Sequence, residues 1–336
     1  MQNFYQLLFE LSNEDRYNIL YQLLEGETNI TSLAKKLDLT SQEVSRQVSR
    51  LSDISLIQKT INGLVISDYG KYILKNIKGL QFITKNLDYF TTHNISHLPL
   101  EFVNRIGDIE ESEIVNDISS AFYMSNKIAK EAEEYIWTIT DQYQINNLLV
   151  IKDAFKRNLQ VRNIESKKFR ISPTIREAWT QDNLIELSKT WTAARKTGLL
   201  KEKIIEKPYI YLYMSEKEVA GLSFPSPDGK FDYHGFSGDS DRLHKYCRDL
   251  FNYYWNLAKN RSTVVDELYK WILNNPDALS VFNQIAKKGE LVNHQENLKS
   301  LVQKGLIIED GLTHLGDFVY GKLETKPPYE TRAEFN

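Results

Sequence analysis

Apolar residues recur every three or four positions through most of the first ninety residues, a spacing that predicts a succession of short helices. One or two helices are predicted over 4–24, with Ser12 as N-cap, Asp15 three residues on in a near capping box, and Ile19, Leu20, Leu23 and Leu24 inward. Leu33, Ala34 and Leu37 form one edge of a helix that Asp38-Leu39-Thr40 interrupts, and Ser41 is predicted to cap the next, with Val44, Val48 and Leu51 inward. At about 100° per residue these three lie within about 60° of one another, while Gln42, Arg46, Ser49 and Arg50 point away and Ser45 sits at the margin. The period then shortens to two. Ile57 to Ile61, Asn62-Gly63 and Leu64 to Ile66 read as strand, type I′ turn and strand. Ile73, Leu74, Ile77, Leu80, Ile83, Leu87 and Phe90 predict a long helix, a connector or a dimer seam, that ends before Pro99.

Past Leu98 the pattern alternates. An amphipathic helix is predicted around 113–132, a strand from Tyr135 to Thr140, a helix over 145–157, a strand-like run from Leu159 to Ile164, and a polar helix over 182–196. Strands follow near 209–214 and 218–224, then an Asp228-Gly229 hairpin turn and the run Phe231 to Phe236. Asp239 or Ser240 opens a helix whose stripe Leu243, Cys247, Leu250, Phe251, Tyr254, Trp255 and Ala258 reads as core. This order implies a mixed sheet covered by helices. In the tail, Leu298, Leu301, Leu306-Ile307, Asp310-Gly311-Leu312-Thr313 and Gly316 echo Leu51, Leu56-Ile57, Asn62-Gly63-Leu64 and Gly70, which predicts an internal repeat with a hairpin two residues shorter. Its equivalent of the 41–52 helix, Asn293 to Gln303, carries His294, Gln295 and Lys299 but no arginine, which favours packing or dimerisation. KPPYETRAEFN reads as a disordered tail.

Composition narrows the function. The 336 residues are 41% hydrophobic and 26% charged, with a net charge of −3. No stretch approaches the ~18 consecutive apolar residues of a membrane span, and MQNFYQLLFELSNEDR lacks a basic leader and cleavage site. A cytoplasmic protein without a membrane partner is expected. The single cysteine, Cys247, excludes an internal disulfide and a cysteine metal cluster. A negative chain does not coat nucleic acid by bulk charge, so any DNA contact must be local. The helix 41–52 offers such a contact, because Arg and Gln read base edges in a major groove and Ser lets the backbone come close. The residues expected on double-stranded DNA are Thr40, Ser41, Gln42, Ser45, Arg46, Ser49 and Arg50, with Lys59 and Asn62 from the hairpin.

The run SNEDRYNILYQLLEGETNITSLAKKLDLTSQEVSRQVSRLSDISLIQKTINGLVISDYGKYIL resembles a winged-helix DNA-binding domain of archaeal regulators. The stretches LPLEFVNRIGDI, EEYIWTITDQY, PYIYLYMSEKEVAGLSFPSPDGKFDYHGFSGDSD and CRDLFNYYW resemble the sensor domain of the archaeal methanogenesis-regulator family. The resemblance implies an α+β protein: a winged helix-turn-helix over 1–78, a connector helix over 79–97, a mixed α/β effector-sensing domain over 98–259, a degenerate winged-helix-like domain over 260–324 and a tail over 325–336. It implies a ligand-responsive transcription regulator that binds operator DNA as a homodimer and responds to a small-molecule effector. More distantly, EYIWTITDQ, a helix and RNLQVRNIES resemble half of a phospholipase-D-like fold. Enzymes of that fold use a His-x-Lys pair, and none of the six histidines has Lys two residues later.

No phosphate loop, nucleophile elbow or metal constellation is legible, and His93 and His97 lack the glutamate of a zinc-protease motif. The chain is therefore expected to be no enzyme and to need no metal or cofactor. An effector is expected at the carboxyl ends of the strands, where open sheets leave a crevice. Trp137, Thr138, Asp141 and Gln142 lie at one such end, Arg162 offers a charge for an acidic ligand, and His234 and Phe236 precede the aromatic helix. Structural uses compete for each: Asp141 as a helix cap, Arg162 in an ion pair, His234 as a hydrogen-bonded core imidazole. Rival readings are a protein-interaction scaffold whose winged domains bind no DNA, and a phospholipase-D-type phosphodiesterase.

Overall fold

A computed structural model describes residues 4–142, 145–170, 181–288, 295–308 and 311–324, in two compact units: Met1–Asn86 with Asn104–Glu110, and Leu87–Val103 with Glu111–Asn336. Unit 1 begins with α1 (Phe4–Leu11), α2 (Glu14–Leu24), α3 (Ile30–Leu37) and α4 (Ser41–Asp53). The caps differ from expectation by one residue. Asn13, not Ser12, accepts from Arg16 N–H at the start of α2, because the Ser12 hydroxyl is turned back onto the Phe9 carbonyl. Thr40, not Ser41, caps α4: its hydroxyl accepts from Glu43 N–H while the Glu43 carboxylate accepts from Thr40 N–H, a complete capping box. Asp38 turns the chain between α3 and α4 in the left-handed region. Ile19, Leu20, Leu23, Leu33, Val44, Val48, Leu51 and Leu56 close the core.

The antiparallel hairpin β1 (Ile57–Lys59) and β2 (Leu64–Ile66) follows. Its turn is not type I′. That turn needs positive φ at both central residues, Asn62 and Gly63, and Asn62 does not have it. Gly63 is required for another reason: a Cβ there would run into the Thr28 carbonyl, which pairs with Leu64 across a bridge. Ser67 caps α5 (Asp68–Lys85) by accepting from Gly70 N–H. The expected continuous connector over 79–97 breaks at Asn86, whose amide donates to the Phe82 carbonyl. Within unit 1 a 3₁₀ turn, Ile106–Ile109, packs on α5 so closely that a Cβ on Gly107 would lie 2.7 Å from Gly79 N.

Unit 2 holds α6 (Leu87–Thr92), α7 (Leu100–Val103), β3 (Glu113–Val115), α8 (Ile118–Glu131), β4 (Tyr135–Thr140), α9 (Ile145–Lys156), β5 (Gln160–Ser166), α10 (Gln181–Thr197), β6 (Leu200–Ile205), β7 (Tyr211–Ser215), β8 (Val219–Ser223), β9 (Gly235–Gly238), α11 (Asp241–Leu257) and β10 (Lys259–Asn260). The strands form one mixed sheet in the order β10-β6-β5-β4-β7-β8-β9-β3, with β4, β5 and β6 mutually parallel and the other pairs antiparallel. The helix expected from 113 is shorter, because Glu113–Val115 pairs with β9 as an edge strand and Asp117 caps α8. α8, α9 and α10 cover one face through Ile128, Ile151, Phe155 and Trp191 against Ile136, Val161 and Leu200. α11 covers the other, where Phe251 stacks on Trp137.

The chain ends in α12 (Arg261–Leu273), α13 (Pro276–Lys288), α14 (Gln295–Lys304), the hairpin β11 (Ile307–Ile308) and β12 (Gly311–Leu312), and α15 (His314–Leu323). This segment is no separate unit: its core of Phe282, Leu301, Leu306, Val319 and Tyr320 includes Ile204 of β6. The internal repeat is visible bond by bond. Leu56 N–H donates to Leu51 O and Ser67 N–H to Leu56 O, as Leu306 N–H donates to Leu301 O and Thr313 N–H to Leu306 O. Ser67 and Thr313 each cap the next helix by accepting from a glycine, Gly70 or Gly316, where a Cβ would strike Leu56 O or Leu306 O. Asn293, His294, Asp310 and the 325–336 tail lie outside the described residues. No helix among the described residues is long and apolar enough to cross a membrane.

Candidate functional site

α4 turns Val44, Gln47, Val48 and Leu51 into unit 1 and leaves Ser41, Gln42, Ser45, Arg46 and Ser49 exposed, with Thr40 exposed at its start and Lys59 and Asn62 exposed on the hairpin. Eight of the nine residues expected on DNA are therefore solvent-facing, and no ion pair or hydrogen bond holds the Arg46 side chain among the described residues. Ile61 stands fully exposed at the hairpin tip, and the Thr60 hydroxyl is tied to Glu27.

Arg50 requires a correction. It is half-buried and committed: its Nε and Nη2 donate to the two carboxylate oxygens of Glu10 at 2.9 and 2.7 Å. Glu10, buried on α1, also meets Arg16 Nε at 3.1 Å, and Arg16 Nη1 donates to Gln47 at 3.0 Å. The Arg50 hydrogen bonds hold the Glu10 carboxyl below its usual range against the opposing effect of burial. Glu10, Arg16 and Gln47 thus set how α4 sits on α1 and α2. Nothing in the sequence pairs residues forty positions apart, so this network was not foreseen.

The seven residues expected around an effector do not converge. Successive residues of a strand face opposite sides, so Trp137 lies under α11 while Thr138 lies on the α8 and α9 side. Trp137 stacks on Tyr135 and Phe251, with ring centroids 4.5 and 4.7 Å away. Arg162, its cross-strand neighbour, sits 5.0 Å from the Trp137 ring and 5.5 Å from the Trp255 ring. Asp141 accepts from the Tyr233 hydroxyl at 2.6 Å, and burial raises its pKa despite that bond. Tyr233 holds this place with φ of 64°, a left-handed backbone that a bulky side chain rarely adopts. Gln142 is exposed, and its N–H donates to Thr140. His234 is half-exposed beside Asp232, which also meets the buried His93. Phe236 is corrected to core: it is fully buried, 4.7 Å from the Tyr89 ring.

The carboxyl ends of β4, β5 and β6, where a ligand was expected, carry a buried polar chain instead. Thr138 donates to Asn163 at 2.5 Å and Asn163 to Glu165 at 2.9 Å. Arg261 of α12 bridges Glu165 at 2.5 Å and Glu202 at 2.7 Å. His314 of α15 meets Glu165 at 3.1 Å, and Arg195 of α10 meets Glu202 at 2.5 Å. Burial pushes the Glu202 carboxyl up, but Arg261 and Arg195 overcome it and hold the carboxyl below its usual range. The carboxyl-end groups thus bond to the C-terminal helices. Among the described residues no group of three His, Cys, Asp or Glu side chains could hold a metal ion.

No protein-family model and no curated protein matches the chain. Among solved structures it is similar to TrmBL2, described as an archaeal chromatin protein with a novel mode of DNA binding, at 13% identity and a TM-score of 0.34 over 74% of this chain and 94% of that one. It is also similar to Nuc, a phospholipase D family member from Salmonella typhimurium, at 7% identity and a TM-score of 0.31 over 45% of this chain and 97% of that one.

Proposed function

We propose that the chain is a DNA-binding transcription regulator whose unit 1 is a winged helix-turn-helix, with α4 as the groove-reading helix and β1–β2 as the wing. The observation that carries this reading is the solvent-facing row Gln42, Ser45, Arg46 and Ser49 on a helix with a complete capping box and a buried opposite side. Long donors between small hydroxyls suit a helix lying in a major groove, and Lys59 and Asn62 suit the flanking phosphates. In this reading Arg50 holds α4 at its angle through Glu10 and is not itself a free base reader. A homodimer would present two copies of α4 to half-sites about one helical turn, roughly 34 Å, apart. Unit 2 acts as a non-catalytic effector domain in the cytoplasm, and the C-terminal repeat packs on the sheet without reading DNA.

The test is a selection from random duplexes, followed by affinity measurements on the selected site. Arg46→Ala should weaken binding roughly 5- to 150-fold, the worth of one bidentate base contact, and leave the unfolding midpoint unchanged. Wild-type affinity should fall steeply as salt rises, because phosphate contacts release counterions. Undiminished affinity in Arg46→Ala, or binding indifferent to salt, refutes the assignment; the second result favours an interaction scaffold.

A further inference from the structure

We infer that the face of the unit 2 sheet under α11 binds a single phosphate group, with Arg162 and Lys203 as its cations, and that the ligand is a small phosphomonoester. Trp137, Arg162 and Lys201 stand side by side on β4, β5 and β6, and Lys203 faces the same way two residues further along β6. The rings fix the cations. Arg162 lies against both Trp137 and Trp255, and Lys203 Nζ lies 4.9 Å from the Trp255 ring and donates to the Trp255 carbonyl at 2.7 Å.

Among the described residues no carboxylate pairs with Arg162, Lys201 or Lys203, whereas the buried Arg16 and Arg261 and the partly buried Arg195 each meet at least one. Burial pushes the Lys203 pKa down and the Arg162 charge pushes it further. Half-buried cations held together without a counterion cost stability, and a bound dianion removes that cost. The free edge of a guanidinium takes two phosphate oxygens and an ammonium takes a third. A nucleic-acid strand fits less well, because Trp137 is already covered by Tyr135, Phe251 and Arg162 and has no open ring face on which a base could stack.

The inference deepens the effector reading of unit 2 and rests on it only for the ligand's regulatory role; binding itself is measured without DNA. Inorganic phosphate is titrated into the full chain against chloride of equal ionic strength, by calorimetry and tryptophan emission. Saturable one-to-one binding is expected at a Kd on the order of 1 mM or tighter, with the emission perturbed through Trp137 and Trp255. Arg162→Gln and Lys203→Gln should each weaken it roughly tenfold or more. Lys203→Gln should also raise Tm in the absence of phosphate, which a structural lysine would not do. If Arg162→Gln fails to fold, Lys203→Gln and Lys201→Gln carry the test. No saturable binding, or binding unaltered in the variants, overturns the inference. So does tighter binding of an unphosphorylated oligothymidylate with the same variant dependence, which would make the face a nucleic-acid surface. A failed phosphate titration leaves the α4 reading standing, and a failed Arg46 test leaves the phosphate site standing.

Discussion

Arg261→Met tests whether the buried ion network holds the C-terminal helices to the sheet. Arg261 is about 5% exposed and bridges two carboxylates, Glu165 at 1% and Glu202 at 5% exposure. Methionine keeps much of the volume but removes the shared cation. Deleting one partner of a buried pair costs about 3–5 kcal/mol. Here each carboxylate keeps another partner, His314 for Glu165 and Arg195 for Glu202, so the lower end of about 3 kcal/mol is expected. With a urea slope of about 2–3 kcal/mol/M, the unfolding midpoint should fall by roughly 1 M. The pH dependence should weaken as well. In the native protein the Glu202 carboxyl lies below its unfolded value, so the unfolded chain takes up the proton first; the contribution is present above about pH 4.3 and is lost as pH falls through the lower folded value. Without Arg261, the strongest influence lowering the Glu202 carboxyl is lost, the folded value moves up towards or past the unfolded one, and the stability gained as pH rises through this range shrinks. Urea melts of both proteins across that range provide the assay. A midpoint shift under about 0.2 M at pH 7, or parallel pH profiles, would refute the reasoning.

Two further outcomes follow from particular positions. Gly63→Ala should destabilise unit 1 by about 1–3 kcal/mol, since its Cβ meets the Thr28 carbonyl at a φ of 157°; hydrogen exchange at Leu64 N–H, which donates to Thr28, should accelerate, and unchanged protection there counts against the close approach. Cys247 is fully buried and burial pushes its thiol pKa up, so a disulfide reagent at pH 8 should label it only after unfolding; labelling of the native protein at the rate of a free thiol contradicts its packing in α11.

Legibility followed the range of the forces involved. The polar face of α4 was readable because it depends only on helical period, and the internal repeat because capping and turn residues act within a few positions. β6 was missed: Lys201, Glu202 and Lys203 look like a charged loop, and Glu202 points inward only because Arg195 and Arg261 arrive from two helices to neutralise it. Arg50 was misread for a similar reason, since Glu10 sits on another helix. The expected effector site mixed residues from opposite faces, as Trp137 and Thr138 are neighbours in sequence but separated by the thickness of a sheet.

By itself the sequence determined the helices and hairpin of the first 66 residues, the outward row Gln42, Ser45, Arg46 and Ser49, and the echo of one helical unit in the tail, all consequences of periodicity and local hydrogen bonding. Tertiary structure alone decided which charges are free. Arg46 and Arg162 meet no carboxylate among the described residues while Arg50 and Arg261 do, because pairing depends on where distant backbone brings Glu10, Glu165 and Glu202, and burial makes each such encounter worth several times its value in water.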